Sequence, residues 1–449
     1  MAFNNEDHCF CAGEELRLFE LPPVNATINK TFFSKTYPLN SVKEGGPIEF
    51  VINSNKEDFI NLNETFIKLI CSIKNKDNSN PEKPAQATPN TIPDGSNVFP
   101  VNYLLGALFK DVEVYANNKI ISSSNNLYPY KSYIELMLGY DKDSKKEQAS
   151  CGLYFDENTE YDSNDAVGGN TSAEKRFGLT SYGKPFELFG RLHNDVFQQE
   201  RLLPGDLPLR VRLIRNDPNF CLMAKDATKE YKIIIEEAIL FVKRKELSEE
   251  YLRTLDTRRN EGQLIKYPYK QILMKYSNQS PNITNLSEHR LISNSPRPDR
   301  IIMGLCHAEA FNGSLSKNPF HFPNFNVESI QITSGLSDVP FSELKLDYTN
   351  NLHKEAYIAL LNNTGHLFKN HSLGITPDEF SKHVALYSFD FTKNGVFDNT
   401  FQLSEIDTLH VDVKLKAALD HAVVMIFYME FTQILAIAPT NDANLKKSM

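Results

Sequence analysis

Two residue types are scarce in this sequence of 449 residues: tryptophan is absent and only six cysteines are present. Cys9 and Cys11 lie close together, but no second close pair completes a four-ligand zinc site. The other cysteines are scattered, which is typical of a protein in a reducing compartment. Cys9 and Cys11, with His8, are therefore either a metal or redox pair or part of a reduced N-terminal arm. The sequence leaves both interpretations open.

A leader peptide and a long uninterrupted apolar run are also missing. Residues 1–14 are polar and acidic, so Asn25 and Asn29, which match the glycosylation pattern, are not expected to enter a secretory pathway. The longest apolar stretch, residues 417–438, contains Asp420 and Glu430, which indicates buried strands rather than a membrane helix. We expect a protein without a membrane span, made in the cytosol.

Basic residues are too few for a dedicated nucleic-acid binder. The chain has 48 Lys and Arg against 57 Asp and Glu, whereas nucleic-acid affinity normally rests on clustered basic residues. The basic groups at 243–245 and 258–259 are interpreted as a solvated face beside a linker helix. Hydrophobic residues at 41% and charged residues at 23% are typical of a globular protein.

The chain contains a long internal repeat, in which a strand, a short helix, a long loop and two further strands recur in the same order. A period of about half the chain indicates two copies of a whole domain rather than a solenoid. Each half is long enough to bury a core of its own. The matching segments are 109–114 with 325–330, 130–138 with 353–361, 209–213 with 409–415, and 231–242 with 423–437.

Many short alternating strands, two short helices per half and long loops predict an all-β fold. We expect two tandem eight-stranded antiparallel jelly rolls (a double jelly roll) with short helices in the loops. Two polar stretches, 74–97 and 141–184, are predicted to be surface loops without a core. The predicted division is an N-terminal arm 1–28, a first jelly roll 29–246, a linker helix 247–260, a second jelly roll 261–438 and a frayed C-terminal tail 439–449.

No sequence motif with a catalytic mechanism is found, and we predict no catalytic, cofactor-binding or metal-binding residue and no cofactor. A phosphate loop, a nucleophile elbow and a paired-histidine zinc motif are all missing. His366 and His371 are five residues apart, a spacing that does not place two ligands on one face of a strand, and His307 is the only histidine near Glu309. The carboxylates Asp156, Glu157 and Glu160 are expected to be solvated.

The densest polar cluster is the segment 190–195. A catalytic pair of His193 and Asp195 is one interpretation, but no Ser or Cys nucleophile is evident beside them. We favour the alternative that Arg191, His193 and Asp195 fix a loop or a contact between subunits.

Five segments carry a resemblance to known proteins: GPIEF at 46–50, SSSNNLYPYKSYIE at 122–135, GRLHNDVF at 190–197, AFNGS at 310–314 and KNPF at 317–320. These segments resemble the double jelly-roll, hexon-type major capsid proteins of Polinton (Maverick) elements and adintoviruses. The similarity extends over nearly the whole chain, and the HCFC sequence at 8–11 also resembles the family's N-terminus.

The resemblance implies a non-enzymatic structural protein that forms pseudo-hexameric homotrimeric capsomers of an icosahedral shell around double-stranded DNA. Its partners would be neighbouring capsomers, penton and minor capsid proteins and, indirectly, the encapsidated DNA. It would reside in the virion after synthesis in the host cytosol, with the nucleus as one possible assembly site. The alternative is a jelly-roll attachment protein that binds glycans or a receptor through loop aromatics such as Tyr154 and Tyr161.

Overall fold

The computed structural model describes residues 25–438 and 443–447, apart from residues 44, 54, 84–95, 158–159, 168, 336–341, 394 and 396–404. The positions of Cys9 and Cys11, and most of the predicted arm, lie outside the described residues. Within the described residues, no helix is long and apolar enough to cross a membrane.

The strands of the first half form two four-stranded antiparallel sheets, with orders β1-β10-β3-β7 and β2-β8-β5-β6, and β4 pairs separately with β9. Their inner faces follow the period of two expected of half-buried strands: Ile67, Leu69 and Cys71 of β3 are fully buried. The strands are β1 (Ile28–Thr36), β2 (Ile48–Ile52), β3 (Asp58–Asn75), β4 (Val98–Pro100), β5 (Phe109–Ala116), β6 (Lys119–Ser122), β7 (Phe186–Arg191), β8 (Leu209–Arg215), β9 (Leu222–Ala224) and β10 (Tyr231–Leu247).

The strands of the second half form two further antiparallel sheets, with orders β11-β18-β13-β16 and β12-β17-β14-β15. β19 pairs with the C-terminal end of β18, so the expectation of a frayed tail is wrong for residues 443–447. The strands are β11 (Ile265–Gln279), β12 (Asn285–Pro296), β13 (Arg300–His307), β14 (Val327–Ser334), β15 (Leu344–Lys345), β16 (Leu386–Asp390), β17 (Ile406–Leu415), β18 (Val423–Ile437) and β19 (Ala443–Lys447).

The two halves have the same topology. With β4, β9 and β19 set aside, the described residues of each half form eight strands, paired in the order first-eighth-third-sixth in one sheet and second-seventh-fourth-fifth in the other. Two four-stranded sheets connected in this way form a jelly roll. The prediction of two tandem eight-stranded antiparallel jelly rolls is confirmed.

Short helices lie between the strands. α2 and α8 occupy equivalent places, each between the fifth and sixth strand of its roll. α2 ends at Gly139, and α9 begins with a capping box formed by Thr376 and Glu379. The helices are α1 (Leu104–Ala107), α2 (Tyr128–Gly139), α3 (Lys142–Glu147), α4 (Thr171–Thr180), α5 (Pro218–Cys221), α6 (Glu249–Asn260), α7 (Ala308–Asn312), α8 (Lys354–Asn363) and α9 (Pro377–Lys382).

The second polar stretch, 141–184, is not a simple surface loop. It contains α3 and α4 and buries Tyr154, Tyr161 and Phe177. The prediction of a loop without a core is wrong here because these few aromatic side chains pack against the rest of the protein. Of the first stretch, residues 84–95 lie outside the described residues, whereas Pro81 is buried.

Candidate functional site at the junction of the two halves

A buried ionic network lies where α2 meets the second half. Lys131 and Glu135 are one turn apart on α2, and the Lys131 ammonium contacts the Asp195 carboxylate. Lys131 Nζ also donates to the carbonyl oxygen of His193 at 3.0 Å. The side chains of Lys131, Asp195 and Glu135 are only 1%, 2% and 7% exposed. Because buried charges are tolerated only when paired, the three groups fix one another's positions.

His193 belongs to the same network but is not paired with Asp195. Its Nδ1 lies 2.8 Å from Glu135 and its Nε2 lies 2.7 Å from the hydroxyl of Tyr103. Asp195 instead accepts a hydrogen bond of 3.2 Å from the backbone N–H of Ile272 on β11. A His–Asp catalytic pair is therefore not formed, and the Asp195 carboxylate connects the first roll to the second.

Burial and charge act in opposite directions on the carboxyl groups of this network. Burial raises the pKa of Asp195, and the neighbouring Lys131 only partly offsets it. Burial also raises the pKa of Glu135, but Lys131 and His193 outweigh it, so that its pKa is lowered overall. The pKa of Lys131 is raised because its two carboxylates outweigh the cost of burying its charge. The network is suited to holding α2 and the 195–198 turn against β11.

Aromatic stacking forms a second contact between the halves. The Tyr133 ring of α2 stacks on Phe320 with ring centroids 4.3 Å apart, and Tyr130 packs against Phe311 at 5.5 Å. Tyr130, Tyr133 and Phe320 are almost completely buried. Such pairs add about 0.5–1.5 kcal/mol each beyond the area they bury.

A third contact joins the 141–184 stretch to the second roll. The buried Lys145 ammonium donates to the carbonyl oxygens of Met137 at 3.0 Å and Leu373 at 2.6 Å. Burial lowers the pKa of Lys145 to about 8. The buried Lys145 therefore connects a loop of the first roll to the second roll.

Two histidines of the second roll lie beside this stretch. His321 Nδ1 is 2.7 Å from Asp162, and His383 Nδ1 is 3.1 Å from His321 Nε2. The Tyr161 ring stacks on His383 with centroids 4.4 Å apart. Burial and the nearby His321 lower the pKa of His383 to about 4, so His383 is neutral at pH 7.

A cleft of about 550 Å³ remains open between α2 and the outer face of the β11-β18-β13-β16 sheet. Two cations along it are paired with carboxylates: Arg300 Nη2 is 2.6 Å from Glu430, and Lys270 Nζ is 2.9 Å from Asp299. No group of three or more potential metal ligands occurs among the described residues. This geometry offers a rigid junction between the rolls.

Other residues considered in the sequence analysis lie outside this junction, and two of them are less exposed than expected. The ring centroids of His366 and His371 are 5.5 Å apart. Both residues lie in a loop, so the spacing rule for the faces of a strand does not describe their positions. The expectation that Glu157 is solvated is wrong, because its carboxylate is 2% exposed and lies 2.8 Å from the buried Arg176. Arg244 is not part of a solvated face either, since its guanidinium donates to Ser34 and to the carbonyl oxygen of Asn53.

Lys131, Glu135 and Lys145 were not among the residues predicted to be functional. A signal for the first two is present, because a Lys and a Glu four residues apart interrupt the largely apolar YPYKSYIELML segment of α2. For Lys145, which lies in the charged segment KDSKKE, the sequence holds no comparable signal.

Solved viral capsid proteins share this fold. The chain is similar to a protein in the cryo-EM structure of the Sputnik virophage (TM-score 0.65, 11% identity, 99% of this chain and 94% of the other). It is also similar to the capsid protein of the PBCV-1 virus (TM-score 0.58, 12% identity, 96% and 100%) and to the mavirus major capsid protein (TM-score 0.56, 10% identity, 100% and 97%). The chain has the double jelly-roll fold of these major capsid proteins.

Among curated proteins, the double jelly-roll chain is similar to an uncharacterised protein of Caenorhabditis elegans. The two are 24% identical over 424 residues, which cover 93% of this chain and 97% of the other. No protein-family profile matches the sequence.

Proposed function

We propose that this protein is a structural protein, the major capsid protein of a virus-like element related to Polintons and adintoviruses. Three copies would form a pseudo-hexameric capsomer, and capsomers would tile an icosahedral shell around double-stranded DNA. The observation that carries the proposal is that two rolls of identical strand order lie in one chain and are fixed to each other by a buried junction. A trimer of such a chain presents six similar rolls around its axis.

The division of the chain proposed for this role is an arm 1–28, rolls 29–246 and 261–438, a linker helix 247–260 and a tail 439–449. α6, over Glu249–Asn260, follows directly on the last strand of the first roll and supports the position of the linker. The arm, tail and loops would contact neighbouring capsomers, penton proteins and minor capsid proteins in the virion. DNA would be enclosed rather than bound specifically, which is consistent with the net charge of −9.

The alternative of a glycan-binding attachment protein is not favoured. It relied on Tyr154 and Tyr161 as exposed loop aromatics, and both side chains are buried, at 5% and 3% exposure. Stacking on a sugar requires an accessible ring face.

Light scattering coupled to size-exclusion chromatography tests the proposal. Three copies of 51.1 kDa give a capsomer of about 153 kDa, which electron microscopy should show with a pseudo-hexagonal outline. A chain that stays monomeric at micromolar concentration, and forms no shells or sheets under assembly conditions, would contradict the proposed function.

A further inference from the structure

The outer faces of the two equivalent sheets differ in burial. In the second roll, β13 is buried on both faces between Ile301 and Cys306. In the first roll, the equivalent strand β3 alternates between buried and half-buried side chains from Thr65 to Cys71. One sheet of the second roll is therefore covered on its outer side, whereas its counterpart in the first roll is open.

The cover on the second roll comes from the first roll. The hydroxyl of Tyr130 on α2 lies 4.0 Å from Cys306 Sγ on the outer face of β13. The turn after β7 adds the hydrogen bond between Asp195 and the N–H of Ile272 on β11. α2 itself is almost entirely buried, because it packs both on its own roll and on the next one.

The open face of the first roll carries a row of phenylalanines, which we call the Phe face: Phe33, Phe66, Phe189 and Phe241. Neighbouring rings along this row lie 5.7–6.2 Å apart. Phe33 is 50% exposed, and the others are half-buried. A connected aromatic row on the outside of a sheet is typical of a surface that another protein covers.

The helix that could cover such a face is present in the chain, but on the other roll. α8 is the counterpart of α2 by its place between the fifth and sixth strands. Unlike α2, it buries only Ala356, Leu360 and Asn363. Ile358 on α8 is 45% exposed, and Leu352 and Phe368, which flank the helix, are 65% and 96% exposed.

We propose that α8 of one copy packs on the Phe face of the next copy, repeating between chains the contact that α2 makes within the chain. The contact is head-to-tail, since each copy contributes α8 on one side and the Phe face on the other. Head-to-tail contacts give closed rings when the rotation between copies closes. This inference rests on the proposed function, which supplies the three-fold ring, and it assigns the residues that form its interfaces.

Two single substitutions test the contact from its two sides. Phe33→Asp and Ile358→Asp each place a charge at an exposed position, so the fold is expected to remain intact. Each should convert the trimer of about 153 kDa into a folded monomer of 51.1 kDa in light scattering. Ile406→Asp, at a 56% exposed position on the other sheet of the second roll, is the matched control and should remain trimeric.

Mixing the two variants tests the head-to-tail geometry. Phe33→Asp retains an intact α8, and Ile358→Asp retains an intact Phe face, so one complete contact can form between them. Chemical cross-linking of the mixture should give a heterodimer of about 102 kDa, from two copies of 51.1 kDa, that neither variant forms alone. If mixing yields no more dimer than the separate variants, the head-to-tail contact is wrong.

A measurement on the unaltered protein covers the case in which a variant does not fold. A lysine-reactive cross-linker should join Lys35 or Lys243, beside the Phe face, to Lys354 at the start of α8, in the trimer but not in diluted monomer. A trimer that lacks these links, or that survives both substitutions, overturns the inference and leaves the proposed function standing. An unaltered protein that never forms trimers overturns both.

Discussion

Lys131→Met tests the buried junction most directly. The substitution keeps the apolar stem and removes the ammonium, which leaves the Asp195 carboxylate, 2% exposed, without a cation. Glu135 keeps hydrogen bonds to His193 and to Gln198, both at 2.8 Å, so one carboxylate rather than two is left uncompensated. Breaking a buried pair on one side costs about 3–5 kcal/mol. We expect a loss of free energy of unfolding in that range at pH 8.

The loss should depend on pH with a definite sign. With Lys131 gone, the pKa of Asp195 rises further, because burial then acts without an opposing cation. A carboxyl whose pKa is raised by folding is destabilising above its folded pKa and regains stability as it is protonated. The difference between the original protein and Lys131→Met should therefore shrink as the pH falls from 8 to 5.

Urea unfolding followed by tyrosine fluorescence and circular dichroism measures both effects. The matched control is Arg253→Met, which removes another pair with i,i+4 spacing, Arg253 with Glu249, whose side chains are 82% and 86% exposed. That control should cost less than about 0.5 kcal/mol. If Lys131→Met costs no more than the control, or if its cost does not change between pH 5 and pH 8, the reasoning about the buried network is refuted.

Three further predictions concern the other contacts and the first polar stretch. Because the folded pKa of Lys145 is about 8 against 10.5 in the unfolded chain, the folded state binds fewer protons between these values, and its stability should rise with pH there. Urea midpoints should show this rise, at most about 1.4 kcal/mol per pH unit, and Lys145→Met should abolish it. The pKa of His383 is about 4 in the folded protein against 6.5 in the unfolded chain, so the stability of the fold should decrease as the pH falls from 6.5 towards 4. In thermal melts, His383→Gln should reduce this dependence of the melting temperature on pH. An unchanged dependence would contradict the assignment. The last prediction is that residues 84–94 can be replaced with a Gly-Ser linker of equal length without changing the melting temperature or the trimer mass. Residues 77–83 are retained in this variant because Pro81 is buried. A folded monomer would instead show that residues 84–94 take part in assembly.

The sequence allowed the tandem rolls to be predicted because the repeat and the alternation are properties of the strands themselves. Several strands were nevertheless not predicted, among them β1 and β12. Each lies at the end of its sheet and pairs with a single neighbour, β10 and β17 respectively. An edge strand buries less and tolerates more charge, so the apolar pattern that identifies a central strand is weak there.

The junction was harder to predict because its polar residues pair over long distances in the sequence. Asp195 meets β11 at Ile272, and Lys145 meets Leu373 in another roll. From sequence alone such charged residues are expected to be exposed to solvent, because a charged side chain is buried only when it pairs with a partner group, which here lies far away in the sequence. The cluster at 190–195 was recognised because its polar residues are adjacent in the chain.

The strand order has a consequence for how the chain acquires its structure. In each roll the first strand, β1 or β11, pairs with the eighth, β10 or β18, which is the last of the eight jelly-roll strands to be synthesised. Ile28, for example, cannot form its strand pairing until Leu247 has been synthesised. Such long-range pairing makes folding slow and leaves strand edges and apolar surface exposed during synthesis. Production of this protein should therefore respond strongly to growth temperature and to the supply of chaperones.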